Sequence, residues 1–465
     1  MHPLWILVLG IVIVIGMILF LRVNAFIAMI TTAMIVSLLA PGEWSQKISR
    51  VATEFGSTAG KIGVVIAMAA IIGDCMTRSG AADRVVRAFM RMLGIKRGPV
   101  ALMSSGFVLS IPVFFDTVFY LLIPLARSMH RQTKQRYLFI ILAMGAGASI
   151  THSLVPPTPG PLFIAEKMGI DMGLMILMGL AISIPTAIIM YYFVKLYSPR
   201  FDIPMRPLEG SAPEPEPLAD SQLPGLFISA LPILLPVFLI SGQTIVAGLG
   251  AKADATEGMK TLASIAALVG EKNLAMLVSA AVAIGVYWKQ RRPSLDQMSS
   301  MVETSLMSAG IIILITSAGG AFGAMLQAAN VGPAVQQLFS GSNSQTGTIN
   351  GMSILLMGFL VAFLLKFAQG SSTVSMMTTA AMLAALLKDT GSIGFHPVYV
   401  AMAVGFGAQC GNWMNDSGFW VFAKMGGLTA TETLKTWTVT VSLLAVVGLL
   451  VTIAFVCLLP WPVRM

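Results

Sequence analysis

An apolar segment with positively charged flanks, residues 98–126, constrains the fold more than any other part of the sequence. The segment carries a single charge, Asp116, which follows Pro112 near its centre. Two helical crossings of a membrane need about 20 residues each, whereas half of this segment is about 14 residues, or roughly 21 Å of helix. The sequence therefore predicts a re-entrant hairpin whose tip lies inside the membrane, where non-helical backbone needs surrounding protein or a water-filled cavity.

Basic residues on both sides of the hairpin indicate that it enters from the cytoplasm, because Lys and Arg concentrate in short cytoplasmic loops. Those before it are Arg78, Arg84, Arg87, Arg91, Lys96 and Arg97, and those after it are Arg127, Arg131, Lys134 and Arg136. The same rule explains the net charge of +9, so this charge does not indicate nucleic-acid binding. Arg84, Arg87 and Arg91 are expected on a short amphipathic helix.

Composition places the chain among multi-pass membrane proteins. It is 56% hydrophobic and only 11% charged, with several apolar runs near the length of a membrane span. The three cysteines, Cys75, Cys410 and Cys457, fall in or near apolar spans and suggest neither a disulfide framework nor a metal site. The sequence contains no HExxH, P-loop or nucleophile-elbow motif, which disfavours an enzyme.

The apolar spans divide into two halves around a linker. Residues 199–222 are rich in Pro and Glu, a composition that packs into neither a core nor a bilayer, and we expect them in the cytoplasm. The spans of the first half, residues 1–198, are 3–21, 25–40, 57–77, the hairpin 98–126, a broken helix at 137–168, and 171–194. Those of the second half, residues 223–465, are 223–248, 272–288, 302–326, a second hairpin at 350–387, a broken helix at 397–424, and 434–459.

Weak internal similarity pairs the two halves in the same order. The matching stretches are Gly73, Val85 and Phe89 with Gly323, Val335 and Phe339; Thr117-Val118 with Thr373-Val374; Gly145-Ala-Gly147-Ala148 with Gly405-Phe-Gly407-Ala408; and Lys167-Met168-Gly169 with Lys424-Met425-Gly426. Five crossings per half invert the second half relative to the first. The prediction is an all-α polytopic membrane protein of two inverted repeats, each with five transmembrane helices, one of them broken, and one re-entrant hairpin, as in secondary transporters.

Two uncertain stretches lie in the second half. The second hairpin enters from outside in this scheme, although 38 residues could nearly form two short crossings, and its match to the first hairpin favours the re-entrant form. The 249–271 stretch is expected as an outside loop, because its charges balance.

Four interruptions are expected to meet near the middle of the membrane. They are Ile111 to Thr117, Thr151 to Pro161, Lys366 to Thr373, and Gln409 to Gly418. Free N–H groups at the N-termini of half-helices favour an anion, and neighbouring hydroxyl and amide groups suit a polyhydroxylated molecule. The predicted substrate-binding residues are Thr117, Thr158, Gly160, Lys366, Gln369, Gly370, Ser371, Ser372, Thr373, Asn412, Asn415 and Ser417.

Asp116, His152 and Asp416 are the candidate proton carriers, because ionisable groups at membrane depth are costly and commonly functional. Each has a structural alternative. Asp116, with Thr117, and Asp416 can cap half-helices, and His152 can brace its loop through backbone hydrogen bonds. Lys366 can extend to an interface instead of meeting a carboxylate.

At these four interruptions the chain resembles the gluconate permease (GntP) family of proton symporters, within the ion transporter superfamily. The motifs that carry the resemblance are Ile111-Pro112-Val113-Phe114-Phe115-Asp116, the loop from His152 to Pro161, Gln369-Gly370-Ser371-Ser372-Thr373-Val374, and Asn415-Asp416-Ser417-Gly418-Phe419-Trp420. The resemblance implies proton-coupled uptake of gluconate or a related sugar acid, although the family includes a D-serine carrier. It also implies a homodimer that works as an elevator, in which a hairpin-bearing transport domain slides against fixed scaffold helices.

One departure from the family concerns substrate choice. The family loop usually reads Pro-Pro-His-Pro-Gly-Pro, and here Thr158 replaces the His. The replacement suggests that the protein prefers a different small hydroxy acid, or that it couples transport to protons through His152 or an Asp.

The sequence therefore predicts a transporter of the bacterial inner membrane that imports a small hydroxylated carboxylate with a proton. It needs no cofactor beyond the proton gradient, and its partners are the anionic substrate, H⁺ and membrane lipid. Two alternatives stay open. One is a cation–proton antiporter with Na⁺ on Asp116 and Asp416. The other is an intramembrane enzyme, although the sequence shows no catalytic pattern that supports it.

Overall fold

The computed structural model describes residues 2–19, 21, 23–94, 97–206, 222–250, 256–331, 351–389, 393–414 and 416–460. Within these ranges every regular element is helical and no strand is present. Most of the Pro- and Glu-rich linker lies outside the described residues.

The described part of the first half contains nine α-helices. They are α1 Pro3–Leu19, α2 Ala25–Leu39, α3 Ser49–Ser79, α4 Ala81–Leu93, α5 Gly98–Leu109, α6 Phe115–Thr133, α7 Tyr137–Leu154, α8 Pro159–Lys167 and α9 Met172–Tyr197. The first hairpin is thus α5 and α6 with an interruption between them, and the broken helix is α7 and α8. The amphipathic helix expected around Arg84, Arg87 and Arg91 is present as α4.

The described part of the second half follows the same order. Its helices are α10 Leu226–Gly250, α11 Glu257–Val269, α12 Lys272–Arg291, α13 Leu295–Ala328, α14 Gly351–Gln369, α15 Ser372–Asp389, α16 Val398–Gly407, α17 Ser417–Gly426, α18 Ala430–Thr433 and α19 Val439–Leu458, with a π-helical turn at Leu434–Thr438. The expectation of a loop over 249–271 was wrong, because α11 occupies most of it. Thr256 caps α11 by accepting a hydrogen bond from the Met259 N–H.

Six of the described helices are long and apolar enough to cross a membrane, and α11 with α12 forms a further pair that bends by 61°. Helices α1 and α2 have shorter apolar stretches, as do the arms α5 and α14. Nearly all of α7 is buried, as expected for a helix that is apolar on every side. The count of five crossings per half stays a prediction.

The helices pack in two groups. In the first, α3 contacts α12 and α13, and α13 also contacts α2. In the second, α7 contacts α5 and α6, α16 contacts α14, and α19 contacts α9 and α16. The two groups meet where α13 lies against α15 and where α9 lies against α10. Both hairpins and both broken helices therefore belong to the second group.

A partly buried carboxylate joins the two groups. Glu166 at the end of α8 pairs with Lys272 of α12 at 2.8 Å and with Lys61 of α3 at 3.2 Å. Lys167 beside it donates to the Gly320 carbonyl of α13 at 3.3 Å. These contacts connect the second group to three helices of the first.

Each broken helix lets a hairpin approach through a glycine. A Cβ added at Gly147 would lie 2.2 Å from the Met103 carbonyl oxygen, and one at Gly407 would lie 2.2 Å from the Phe359 carbonyl oxygen. Gly147 and Gly407 were already paired by the internal similarity. Met103 and Phe359 are separated by the same number of residues as Thr117 and Thr373. Both halves therefore form the same contact at matching positions.

Substitution of Gly147 by alanine should destabilise the protein, because its methyl group would push α7 away from the backbone of α5. The expected loss is about 1–3 kcal/mol, the usual cost of overpacking a core. Thermal unfolding of the purified protein in detergent measures it.

The matched control is Gly285→Ala on α12, where an added Cβ has no atom within 4 Å. There, alanine should leave the stability unchanged or raise it, since alanine favours a helix over glycine by about 1 kcal/mol. Equal unfolding temperatures for the two variants would contradict the close-contact interpretation.

Candidate functional site

The four predicted interruptions surround a cavity of ≈ 430 Å³. Its lining residues are Phe114, Phe115, Asp116, Ser149, His152, Ile312, Gly370, Ser371, Ser372, Thr373, Gln409, Asn412, Asp416, Gly418 and Trp437. Such a volume lies in the range typical of small-molecule sites. We call it the central cavity.

The tip of the second hairpin supplies backbone and hydroxyl groups to the central cavity. Gly370 separates α14 from α15 with φ = 84°, a conformation that glycine adopts without steric cost. The Ser371 hydroxyl accepts a hydrogen bond from the Val374 N–H at 3.3 Å and so caps α15. Ser372 and Thr373 follow in the first turn, where backbone N–H groups have no helical partner and favour an anion.

The tip of the first hairpin brings a carboxylate to the opposite wall. Helix α6 begins at Phe115 with no side-chain cap, so neither Asp116 nor Thr117 caps this helix. Asp116 lies in the first turn and borders the cavity. In the described part of the chain, no hydrogen bond or ion pair reaches its carboxylate.

Lys366 and Asp416 form a buried ion pair behind this surface. Lys366 is 0% exposed, and its Nζ contacts both Asp416 Oδ2 and the carbonyl of Gly370. Asp416 Oδ1 also accepts a hydrogen bond from the Phe419 N–H at 3.2 Å and caps α17. One carboxylate therefore neutralises the lysine and ends the interruption of the second broken helix.

Two polar atoms in the interruptions of the broken helices belong to residues that line the cavity, and these atoms have no partner among the described residues. They are Nδ1 of His152 and Oδ1 of Asn412, both buried. The His152 ring contacts Phe114 edge to face, with centroids 6.1 Å apart. His152 therefore does not brace its loop through Nδ1, and both side chains have hydrogen-bonding capacity at the cavity wall.

Ser149 and Gln409 connect the two broken helices directly. The Ser149 hydroxyl donates to Gln409 Oε1 at 2.7 Å, and Gln409 Nε2 donates to the Ser149 carbonyl at 3.1 Å. Their spacing along the chain equals that of Gly147 and Gly407, so they occupy matching positions of the two halves. Residues related by a two-fold axis contact each other only near that axis.

The central cavity brings together eight of the predicted site residues, namely Asp116, His152, Gly370, Ser371, Ser372, Thr373, Asn412 and Asp416. Thr117, Thr158, Gly160 and Lys366 lie outside its lining. The Thr158 hydroxyl donates to the Val155 carbonyl at 2.8 Å, and Gly160 packs against Met376. Asn415 and the side chains of Gln369 and Ser417 lie outside the described residues, and the substrate-binding roles stay predictions.

Sequence reasoning missed several lining residues, chiefly Ser149, Gln409, Ile312 and Trp437. The repeat spacing pointed to the first two, because they continue the matched stretches around Gly147 and Gly407. Ile312 lies within a long, continuous helix. Trp437 lies close to the start of the last span, where hydropathy gives no sign of an interruption.

Comparisons with known proteins find relatives that match nearly the whole chain. A family model described as GntP family permease matches residues 2–458. A gluconate permease of Pseudomonas aeruginosa is 31% identical over 455 residues, covering 96% of this chain and 97% of the relative. A low-affinity gluconate transporter of Escherichia coli K12 is 30% identical over 431 residues, covering 92% and 93%.

A solved structure supports the fold. The chain of Neisseria gonorrhoeae MtrF, whose description refers to a class of antimetabolite efflux pumps, superposes with a TM-score of 0.62 at 15% identity. The match covers 94% of each chain.

Lys366 and Asp416 should behave as one unit when they are substituted. Lys366→Met or Asp416→Asn alone leaves one buried charge without its partner, which typically costs about 3–5 kcal/mol. The double variant removes both charges and should lose less stability than the sum of the two single variants. Thermal unfolding of all four proteins in detergent tests this coupling.

Lys424→Met serves as the control, because Lys424 is an exposed cation on α17. Its effect should stay within about 0.5 kcal/mol. If the double variant loses as much stability as Lys366→Met and Asp416→Asn lose together, the coupling is ruled out.

Proposed function

Because this chain belongs to the GntP permease family, we propose that it is a proton-coupled importer of gluconate or a related sugar acid. It is a multi-pass inner membrane protein and a transporter of the gluconate-permease type rather than an enzyme. The observation that carries the coupling proposal is the charge arrangement of the central cavity. Coupling, direction and the identity of the acid are the proposed parts.

The substrate carboxylate binds at the tip of the second hairpin in this proposal. Gly370, Ser371 and Ser372 place the free N–H groups and hydroxyls of the α15 N-terminus at the cavity wall, which favours an anion. Lys366 does not touch the substrate in this proposal, because Asp416 and Gly370 cover its Nζ. It contributes through its contacts with these two residues. Asn412, His152 and Gln409 supply donors and acceptors for hydroxyl groups.

Proton coupling follows from the charge on Asp116. Asp416 already neutralises Lys366, so a substrate carboxylate would add negative charge beside a second, unpaired carboxylate. Like charges at short range repel strongly where water is scarce. A proton on Asp116 removes that repulsion, and anion and proton therefore bind together. We assign the onward transfer of the proton to His152, which borders the same cavity.

The same arrangement disfavours cation–proton antiport. A Na⁺ site on Asp116 and Asp416 would need both carboxylates, whereas Asp416 is engaged by Lys366. Among the described residues, no group of three or more His, Cys, Asp or Glu side chains could hold a metal ion.

The division into two packed helix groups supports an elevator mechanism, in which the second group would move against the first. Both hairpins and both broken helices lie in one packed group, and Ile312 of α13 is the wall that the first group contributes. The matching contacts of Gly147 and Gly407, and the pairing of Ser149 with Gln409, support the inverted repeat on which alternating access depends. A homodimer of scaffold helices is the assembly expected for such a carrier.

Uptake into proteoliposomes tests the proposed function. An imposed gradient, alkaline inside, should drive accumulation of radiolabelled gluconate above the external concentration, and collapse of the gradient should release it. Unlabelled sugar acids, glycerate and D-serine as competitors rank the ligands. Failure of every acid to accumulate would overturn the substrate assignment.

Asp116→Asn should separate transport from its driving force. Asparagine mimics the protonated acid, so the anion still binds while no proton is carried. We expect exchange of internal for external substrate to persist and gradient-driven accumulation to fall at least about tenfold, the order of effect for removal of a proton-transfer group. Both are measured in the same vesicles.

Asp74→Asn is the matched control, because Asp74 is an acid of α3 that accepts a hydrogen bond from Ser305 away from the cavity. It should retain accumulation. Full pH-driven accumulation by Asp116→Asn would refute the coupling role.

A further inference from the structure

A single π-helical turn near the start of the last span positions Trp437. The turn covers Leu434–Thr438 and separates α18 from α19. Such turns insert one extra residue into an α-helix and occur often at functional sites. Here the turn includes a tryptophan that is 1% exposed and that borders the central cavity.

Aromatic and backbone contacts hold the Trp437 ring. It stacks on Phe422 with centroids 4.4 Å apart and planes at 12°, and on Phe115 at 5.5 Å and 25°. Its Cζ3–Cη2 edge lies over Gly145, where an added Cβ would stand 2.7 Å from Cζ3. Both faces of the ring are thus stacked, this edge packs on α7, and the residue borders the central cavity.

The indole Nε1 of Trp437 is buried and has no hydrogen-bond partner in the described part of the chain. Other tryptophans differ: Trp413 donates to the Phe367 carbonyl at 2.9 Å, and Trp420 donates to the Met414 carbonyl at 2.8 Å. A buried tryptophan N–H usually has a partner, because leaving a buried donor unsatisfied is unfavourable. The unpaired donor of Trp437 therefore needs an acceptor that the neighbouring protein groups do not provide.

We propose that Trp437 is a substrate-binding residue whose indole N–H donates a hydrogen bond to an oxygen of the bound sugar acid. The inference rests on the proposed function of the central cavity and adds a residue to it. Phe115 and Phe422 are positioning residues, since they fix the plane of the indole. Because Phe115 adjoins Asp116, the ring also connects substrate contact to the tip of the first hairpin.

Equilibrium binding of radiolabelled gluconate to the purified full-length protein tests the proposal. Trp437→Phe keeps an aromatic ring in the stack and removes the donor, and it should weaken binding about 2- to 10-fold, the value of one neutral hydrogen bond. Trp420→Phe removes an indole N–H on α17 and should bind like the wild type. Thermal unfolding of each variant reports on folding.

A shape-matched variant covers the case in which phenylalanine disturbs the core. Replacement of Trp437 by 3-benzothienylalanine substitutes sulfur for the N–H and preserves the ring outline. It should weaken gluconate binding to the same extent as Trp437→Phe. Binding equal to the wild type in both variants would overturn the inference.

Deoxy analogues of gluconate identify the accepting oxygen. If one hydroxyl is the acceptor, the ratio of wild-type to Trp437→Phe affinity should approach one for the analogue that lacks it. If the ratio stays above one for every analogue, the accepting oxygen belongs to the carboxylate instead. Wild-type protein that binds no sugar acid would overturn the proposed function and this inference together, whereas wild-type binding with unaffected variants would overturn the inference alone.

Discussion

The ion pair between Lys366 and Asp416 is the interaction on which the central cavity depends. A charge buried at membrane depth is tolerated only when it is paired and hydrogen-bonded. The pair meets that condition by joining α14 to the start of α17 and by engaging the Gly370 carbonyl at the hairpin tip. It therefore fixes two of the four interruptions relative to each other, and Asp116 has no ion-pair partner among the described residues.

Close packing of backbone against backbone gives these interruptions their rigid support. Gly147 and Gly407 admit the carbonyls of Met103 and Phe359 at distances that no side chain would allow. Each hairpin arm is thereby held against its own broken helix, and Ser149 with Gln409 joins the two broken helices. Irregular backbone within a membrane needs such enclosure. These contacts join the second helix group into one packed body, as the proposed elevator movement against α13 requires.

The all-helical fold and the positions of its helix interruptions could be predicted from the sequence, and the reason is physical. A hairpin such as 98–126 is recognisable because length and charge limit what an apolar segment can do in a bilayer. The glycine matches around Gly147 and Gly407 reflect close contacts that tolerate no other residue. Pairing of Lys366 with Asp416 lay beyond prediction, since it depends on how two distant interruptions meet. Trp437 was missed because a π-helical turn has no hydropathy signal. Helix α11 was missed because it is shorter than a membrane span.

The chemistry of the unpaired groups explains why the central cavity suits a polyhydroxylated anion rather than a simple one. His152 Nδ1, Asn412 Oδ1 and Trp437 Nε1 include both acceptor and donor capacity, and all are buried without a partner among the described residues. A monocarboxylate lacking hydroxyls would satisfy the helix N-terminus and leave these groups unpaired. Each unsatisfied group costs about 1–3 kcal/mol, so several of them together discriminate strongly against such a ligand. The proposed selectivity for hydroxylated acids would therefore follow from groups that have no partner in the described part of the protein.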